Sequence, residues 1–272
     1  MLIGIDASRA TRPQRTGTEN YSLHLLRHLL ARGGGHRFRL YFNQPPPPDL
    51  FPGDDWEMRA IPLPRLWTHL RLSWEVTRHA PDVLFVPAHV IPLFHPARSV
   101  ATIHDLGYLK YPQAHPRAQR LYLDWGTRWN ARAARHLISD SQTTKLDLVM
   151  HYGVPAEKIT VIYPGVHLSP ASPREIARVR SRYRLPENYI LFVGTLQPRK
   201  NLPTLFQAYR DLARHNGTDY QLVLAGKRGW LSDGVLRHIE ALGLNDRVRL
   251  LDYVPSEDLP GLLGGSRLLV QP

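Results

Sequence analysis

The sequence predicts an α/β chain of two doubly wound parallel-sheet domains, the second incomplete. Three observations carry that expectation. Short apolar runs such as YILFV and VLFV lack the polar alternation of a half-solvated sheet, as strands covered on both faces do. They alternate from end to end with helical periodicities, the order that crossovers between parallel strands require. The rhythm breaks at PGVHLSPASPRE, rich in proline and small polar residues, and then restarts, which predicts domains over 1–168 and 169–272.

The first half opens with a strand over Leu2–Asp6, and the leucine spacing of Glu19–Arg32 predicts the helix that follows. Strands over Arg37–Phe42 and Trp56–Ile61 flank QPPPPDLFPGDDW, whose prolines fix φ and favour a stiff, polyproline-like surface loop. A helix is expected over Leu66–His79, then a strand over Asp82–Val86 and another over Ser99–His104. Helix Arg117–Ala134, strand His136–Ser139, helix Gln142–His151 and strand Thr160–Tyr163 complete this half. The second half repeats the pattern with strands over Tyr189–Val193, Gln221–Ala225, Val248–Asp252 and Arg267–Val270. The sequence stops just after the last of these, with no closing helix to cover the strand, so it is expected to be cut short.

The segment ILFVGTLQPRKNLPTLFQAYRDLARHN, Ile190 to Asn216, is the most telling local pattern. Gly194 ends a buried strand, and a helix is expected to start near Asn201, a residue type suited to an N-cap, with Pro203 in its first turn. Leu202, Leu205, Phe206 and Tyr209 then fall on one face. The first N–H groups of such a helix and the positive end of its dipole point where Arg199 and Lys200 also sit, so a diphosphate is the natural occupant. A random pair of this kind reads as solvated loop charge; its place at a strand-to-helix crossover favours the anion.

With 43% hydrophobic and 21% charged residues the chain is globular, and 272 residues suit two domains. It has no cysteine, which excludes disulfides and thiolate metal sites and is compatible with a reducing cytoplasm. MLIGIDAS lacks the basic region and long apolar core of a signal peptide, and no run approaches the roughly 18 apolar residues of a membrane span. The net charge of +12 favours a polyanionic partner or an anionic membrane surface. It is spread evenly: residues 1–168 carry 20 Lys/Arg against 13 Asp/Glu and residues 169–272 carry 15 against 10, giving +7 and +5. No recognition helix, zinc finger or aromatic RNA-binding strand pair is visible, so no nucleic-acid partner is expected.

Six segments in order, RTGTENYSLHLLRHLL, ATIHDLGYLKYP, SDSQTTKLDLVMHYGVPAEKITVIYPGV, ILFVGTLQPRKNLPTLFQAY, LVLAGKRGW and VRLLDYVPSEDLPGLL, resemble the N-terminal two-thirds of the retaining glycosyltransferases of family four, also called group 1. The resemblance covers essentially the whole chain. It implies the GT-B fold, two Rossmann-like domains with a nucleoside-diphosphate sugar held mostly on the second and the acceptor mostly on the first. It places Lys200 against the donor diphosphate, within a loop that includes Gly194, Thr195 and Asn201. The family often has an arginine directly after the glycine, where this chain has Thr195; Arg199 is expected to supply that charge from another backbone position. Gly17 matches a glycine loop close to the donor, although a turn glycine opening the next helix explains the spacing equally well. His104 matches a histidine beside the transferred sugar, and from the residues alone a structural histidine capping its strand remains open. Asp105 is expected to orient or turn the chain rather than act as a base. Tyr253 and Val254 match the segment whose backbone meets the nucleobase, and Gly226 and Lys227 a loop bordering the donor, with Lys227 also readable as solvent-facing. The family's two-glutamate motif falls after Pro272, so the resemblance implies that this polypeptide alone transfers sugar poorly or not at all; the coding DNA past Pro272 decides that point.

The expected catalytic residues are therefore His104, Lys200 and Arg199, and the expected reaction is transfer of a hexose, mannose by the subgroup's appearance, with retained configuration. The donor would be a guanosine- or uridine-diphosphate hexose and the acceptor a glycan or lipid-linked sugar in polysaccharide or glycolipid assembly. Cations and oriented amides at the leaving diphosphate strengthen as charge develops there, and no DxD-like acidic set suggests itself, so neither metal nor cofactor is expected. Leu66, Trp67, Leu70 and Trp74, with Arg65, Arg71 and Arg78, form one candidate apolar stripe. Leu121, Trp125 and Trp129, with Arg117, Arg120, Arg128, Arg132 and Arg135, form another. Each either buries against the first sheet or meets an anionic membrane surface, which would make the protein peripheral on the cytoplasmic face. Two alternatives stand beside transfer: a sugar-nucleotide epimerase on the same fold, and a non-catalytic module binding nucleotide sugar or a membrane surface.

Overall fold

The computed structural model describes every residue except 52, 54, 89, 167–168, 217–218 and 230–232. His167 and Leu168, on which the expected domain boundary falls, lie outside the described residues, as do Trp230 of LVLAGKRGW and Pro52 and Asp54 of the proline-rich run. The chain forms two compact units, one of Met1–Pro112 with Pro116–Gly165 and one of Val166–Pro272 with Gln113–His115.

The first unit is built on a seven-stranded parallel sheet. Its strands are β1 (Leu2–Asp6), β2 (Arg37–Phe42), β3 (Trp56–Ala60), β4 (Val83–Val86), β5 (Ser99–Ile103), β6 (His136–Ser139) and β7 (Ile159–Val161), in the order β3-β2-β1-β4-β5-β6-β7. Ile5 on the inner strand β1 lies opposite Leu40 and Phe85, and all three are buried, as continuous apolar strands require when helices cover both faces. The helices are α1 (Gly17–Arg32), α2 (Ser73–Arg78), α3 (Gly107–Lys110), α4 (Arg117–Ala133) and α5 (Gln142–Tyr152). Helix α1 starts at Thr16, whose backbone N–H donates to Glu19 Oε2 at 3.0 Å and whose hydroxyl bonds the same carboxylate. Ser141 caps α5, its hydroxyl accepting from the Thr144 N–H at 3.1 Å, and left-handed Gly153 ends the helix.

Two sequence expectations are corrected here. The helix expected over Leu66–His79 is broken: Leu66 has φ 56°, Thr68–Leu72 is a π-helix, and only Ser73–Arg78 is α-helical. Trp67 and Leu72 are both buried, and an α-helix would separate residues five apart by about 140° around its axis. The wider π turn brings them to one side, closed by the Leu72 N–H donating to the Trp67 carbonyl at 2.9 Å. The expected stripe accordingly splits, with Trp67 bonding the Ile61 carbonyl through Nε1 at 2.8 Å while Leu66, Leu70 and Trp74 stay exposed. The proline-rich loop is not simply a surface excursion either, because Leu50 and Phe51 are buried in the cluster around Phe42.

Helix α4 docks through small and polar residues. Gly126, Thr127 and Asn130 are buried, and a Cβ on Gly126 would stand 2.9 Å from Val90 Cγ2. Asn130 Oδ1 accepts from the Ile91 N–H at 2.9 Å, and Trp129 Nε1 donates to the Ile91 carbonyl at 2.9 Å. Tyr108, Tyr152 and Asp124 form a chain of hydrogen bonds at 2.7 and 2.8 Å that ties α3, α5 and α4 together.

The second unit carries a four-stranded parallel sheet of β8 (Tyr189–Val193), β9 (Gln221–Ala225), β10 (Val248–Leu250) and β11 (Leu268–Leu269), ordered β10-β9-β8-β11. Its helices are α6 (Pro173–Arg182), α7 (Leu202–Asn216), α8 (Asp233–Ala241) and α9 (Leu259–Gly264). The predicted face of α7, Leu202, Leu205, Phe206 and Tyr209, packs on Ile190, Phe192, Leu222 and Leu224. Asp258, wholly buried ahead of α9, receives Arg178 at 2.7 Å and Arg182 at 2.9 Å from α6, and the Tyr183 hydroxyl at 2.7 Å. Burial alone would raise its pKa, but the Tyr183 bond and the two guanidinium groups outweigh it and hold the carboxyl below the usual carboxylate range.

Asp258→Ala should lower unfolding free energy by about 2–3 kcal/mol in urea melts, below the usual cost of a broken buried pair because the arginines are half exposed. Because the folded pKa of Asp258 is depressed, its contribution is complete above the unfolded value of ~3.9 and disappears as pH falls through the folded one. The variant should therefore lose less stability than the parent between about pH 5 and 3. Gly226→Ala should destabilise the second unit by roughly 2 kcal/mol or more in the same melts, because the new Cβ would stand 1.9 Å from the Gly194 carbonyl oxygen at φ 154°.

Candidate functional site

The candidate residues fall into two groups, one at the carboxyl rim of each sheet. In the second unit the rim is made largely of backbone. The Gly194 N–H donates to the Ala225 carbonyl at 2.8 Å, and the Gly226 N–H to the Asp252 carbonyl at 2.7 Å, which joins the ends of β8, β9 and β10. Beyond the strands the pairing continues, with Leu196 N–H to the Lys227 carbonyl and Gly229 N–H to the Leu196 carbonyl, both at 2.9 Å. Gly226 lies so close to the Gly194 backbone that a side chain on Gly226 would collide with the Gly194 carbonyl.

A 3-10 turn, Pro198–Lys200, then folds the chain back toward the strand end. Lys200 Cε lies 3.7 Å from where a Cβ on Gly194 would stand, so the lysine stem crosses the open face of that glycine. Arg199 and Lys200 are both half-buried. Asn201 is not the extended N-cap expected: its φ is 50°, and its Oδ1 accepts the Thr204 hydroxyl at 2.9 Å rather than a backbone N–H. The left-handed turn is what lets the 3-10 segment run straight into α7.

The structure thus brings Gly194, Thr195, Arg199, Lys200, Asn201, Gly226 and Lys227 onto one rim. The Thr195 methyl packs where Gly229 leaves room, which gives that position a packing role. Tyr253 and Val254 follow Asp252 on the same edge; Val254 is buried among Val179, Leu191 and Val223, and Tyr253 is half-buried. Sequence reasoning passed over Gln197, which is 3% exposed with Oε1 accepting no hydrogen bond among the described residues.

In the first unit His104 follows β5. Its Nδ1 lies 2.6 Å from Asp140 Oδ2 and its Nε2 2.9 Å from the Pro87 carbonyl, so both ring nitrogens face protein acceptors. The Tyr21 ring stands edge-on to the imidazole with centroids 4.8 Å apart, and the Thr144 hydroxyl donates to the His104 carbonyl at 3.2 Å. Burial raises the Tyr21 phenol pKa, the Thr102 hydroxyl bond opposes that rise, and the Asp140 charge adds to it. In this arrangement His104 is a bound, strand-capping histidine, and a sugar hydroxyl reaches Nε2 only by displacing the Pro87 carbonyl. Asp105 is a turn residue, its Oδ1 accepting from the Gly107 N–H at 2.9 Å. Gly17 is the first residue of α1; no atom lies within 4 Å of where its Cβ would be, and its φ is not positive. Among the described residues nothing demands a glycine there. Asp140 and Pro87 were not anticipated, yet each is the residue immediately after a strand, the position that had marked His104.

Two family models match the chain, Glycosyltransferase Family 4 over residues 15–170 and Glycosyl transferases group 1 over residues 173–272. The chain is 30% identical over 211 residues to O-antigen chain mannosyltransferase B of Escherichia coli, covering 76% of this chain and 55% of that protein. The fold is shared with Anabaena HepE, solved with UDP and glucose, at TM-score 0.68 and 18% identity over 98% of this chain and 73% of that one. It is also shared with sucrose-phosphate synthase from Thermosynechococcus elongatus, at TM-score 0.71 and 18% identity over 100% of this chain and 75% of that one. The chain spans about half the length of the curated relatives it matches. With both of its units matched by the paired models and its two parallel sheets shared with solved GT-B enzymes, the chain belongs to glycosyltransferase family 4, group 1.

Proposed function

We propose that the protein takes part in transferring a hexose from a nucleoside-diphosphate sugar to a glycan or lipid-linked acceptor in polysaccharide or glycolipid assembly, with retention of anomeric configuration. The observation that carries this reading is the second-unit rim, where the Lys200 stem crosses Gly194 beside the start of a 15-residue helix. Arg199 and Lys200 on that rim, with the helix end behind them, form a cradle suited to a diphosphate. As the glycosidic bond lengthens, negative charge grows on the leaving diphosphate, and cations already in place stabilise that state more than the ground state. The reading needs no divalent ion, because Lys200, Arg199 and the helix end supply the charge. The E. coli relative is named a mannosyltransferase, which supports a hexose donor and favours mannose; the relatives reported above support neither the epimerase nor the binding-only alternative.

Gly17 fits the same reading. A glycine required by neither backbone nor packing leaves room at the start of α1 for something from outside the unit, and a phosphate or sugar suits the helix end. An anionic membrane surface is proposed as a further partner, on the cytoplasmic face. Among the described residues no helix is long and apolar enough to cross a membrane. The support is the outward side of the first unit: Leu66, Leu70, Trp74, Leu121 and Trp125 are all exposed, and Arg65, Arg71, Arg117 and Arg120 lie among them in sequence.

Lys200→Ala should weaken binding of UDP-glucose or GDP-mannose to this chain by about 1–3 kcal/mol, roughly 5- to 150-fold in Kd by titration calorimetry. Unchanged affinity for every donor that binds would remove Lys200 from the site. Replacing Leu70 and Leu121 together by glutamate should lower co-sedimentation with phosphatidylglycerol vesicles about tenfold while leaving donor affinity alone. Equal sedimentation of parent and variant would leave those leucines with no part in membrane contact.

A further inference from the structure

We infer that Asp140 is a positioning residue for His104, and that the Pro87 carbonyl holds the same imidazole in reserve until a sugar hydroxyl takes its place. The inference rests on the proposed transfer reaction and on the family resemblance, which implies that the transferred sugar lies beside His104.

Three neighbouring strands supply the parts. Pro87, His104 and Asp140 are each the first residue after β4, β5 and β6, and those strands are adjacent in the sheet, so the histidine stands between its two acceptors. The bonds differ in kind. Asp140 offers a carboxylate at 2.6 Å, and Pro87 a neutral carbonyl at 2.9 Å. A bond to an ionised acceptor is roughly twice as strong as a neutral one, so a competing hydroxyl takes the Nε2 side and leaves the Nδ1 side intact. Both side chains are 18% exposed, which lets a small polar group reach them while most of the water is excluded.

The surroundings direct the carboxylate at the ring. Asp140 immediately precedes Ser141, the N-cap of the 11-residue α5, so its charge sits at the positive end of that helix. Its Oδ1 is buried and accepts no hydrogen bond among the described residues, leaving Oδ2 and the imidazole as the working contact. Tyr21, edge-on to the ring at 84°, hinders its rotation, and the Thr144 hydroxyl fixes the His104 backbone. Ring plane, Nδ1 and main chain are thus set by the protein. Nε2 alone is held by a group that a substrate can replace, and its N–H then donates to a sugar hydroxyl oxygen instead of to Pro87. A carboxylate that only fastened three strand ends together would contribute to stability and not to turnover.

The test compares Asp140→Ala, Asp140→Asn, His104→Ala and the His104→Ala/Asp140→Ala double variant with the parent, in the protein as its gene encodes it. Donor turnover, KM for UDP-glucose or GDP-mannose and the thermal midpoint are measured for each. Asp140→Ala is expected to lower kcat about tenfold or more with KM changed less than about twofold, and Asp140→Asn, which keeps the shape and a neutral acceptor, to fall between it and the parent. The double variant should be no slower than His104→Ala, because a group that acts through another adds nothing once that other is gone. A neutral Asp140→Ala, or losses that multiply in the double variant, overturns the inference. A parent that turns over no donor overturns the transfer reading and this inference with it. Imidazole 15N–1H spectra of the 272-residue chain then separate the causes. A protonated His104 Nδ1 that responds to Asp140→Asn means that the pair exists and the reaction was misread; its absence means that the pair itself was wrong.

Discussion

Within each sheet every strand runs parallel to its neighbours, and that constraint organises the rest of each unit. A parallel neighbour cannot be reached by a tight turn, so each connection must cross back over the sheet before the next strand begins. The turns that leave the strands therefore collect on one edge, and the helices that follow start there with their N–H groups unpaired. Gly194, Gly226, Asp252, Pro87, His104 and Asp140 all stand just beyond strand ends for this reason, although they are far apart in sequence. The chemistry of each unit is concentrated on its rim because the topology leaves little choice.

Much of this was legible in the sequence because burial on both sheet faces leaves a plain mark. YILFV and RFRLYF coincide with β8 and β2 to the residue, and the apolar face of α7 packs as its spacing required. The mark fades where tertiary demands outrank local pattern. In the segment after Leu66, periodicity could not announce that Trp67 and Leu72 would both turn inward, nor that a π turn would reconcile them. Asn201 illustrates a second limit. Its side chain suits an N-cap, but the 3-10 turn before it imposes a left-handed backbone in which that oxygen bonds a hydroxyl instead.

The two rims were not equally readable. On the second unit the glycines and the cation pair sit within one strand-turn-helix and its neighbour, so local pattern sufficed to bring them together. On the first, the group around His104 is assembled from β4, β5, β6, α1 and α5, and its members have nothing in common along the chain except their place after a strand. Long-range pairing of that sort has no local signature. It also explains why the histidine looked available from sequence and proves to be held at both nitrogens.

Helix α4 is docked by polar contacts as well as by apolar ones. Its innermost positions are a glycine, a threonine and an asparagine, and what fastens it to the loop before β5 is a pair of hydrogen bonds at Ile91, while Leu121 and Trp125 look outward. Apolar contact is non-directional and lets a helix roll or slide at little cost, whereas hydrogen bonds to a fixed backbone prescribe both its rotation and its register. Glycine in mid-helix costs about 1 kcal/mol relative to alanine, and here it permits the close approach that makes those bonds possible. The outward aromatic face of α4 is consequently aimed, held at one angle by the side of the helix that faces away from it.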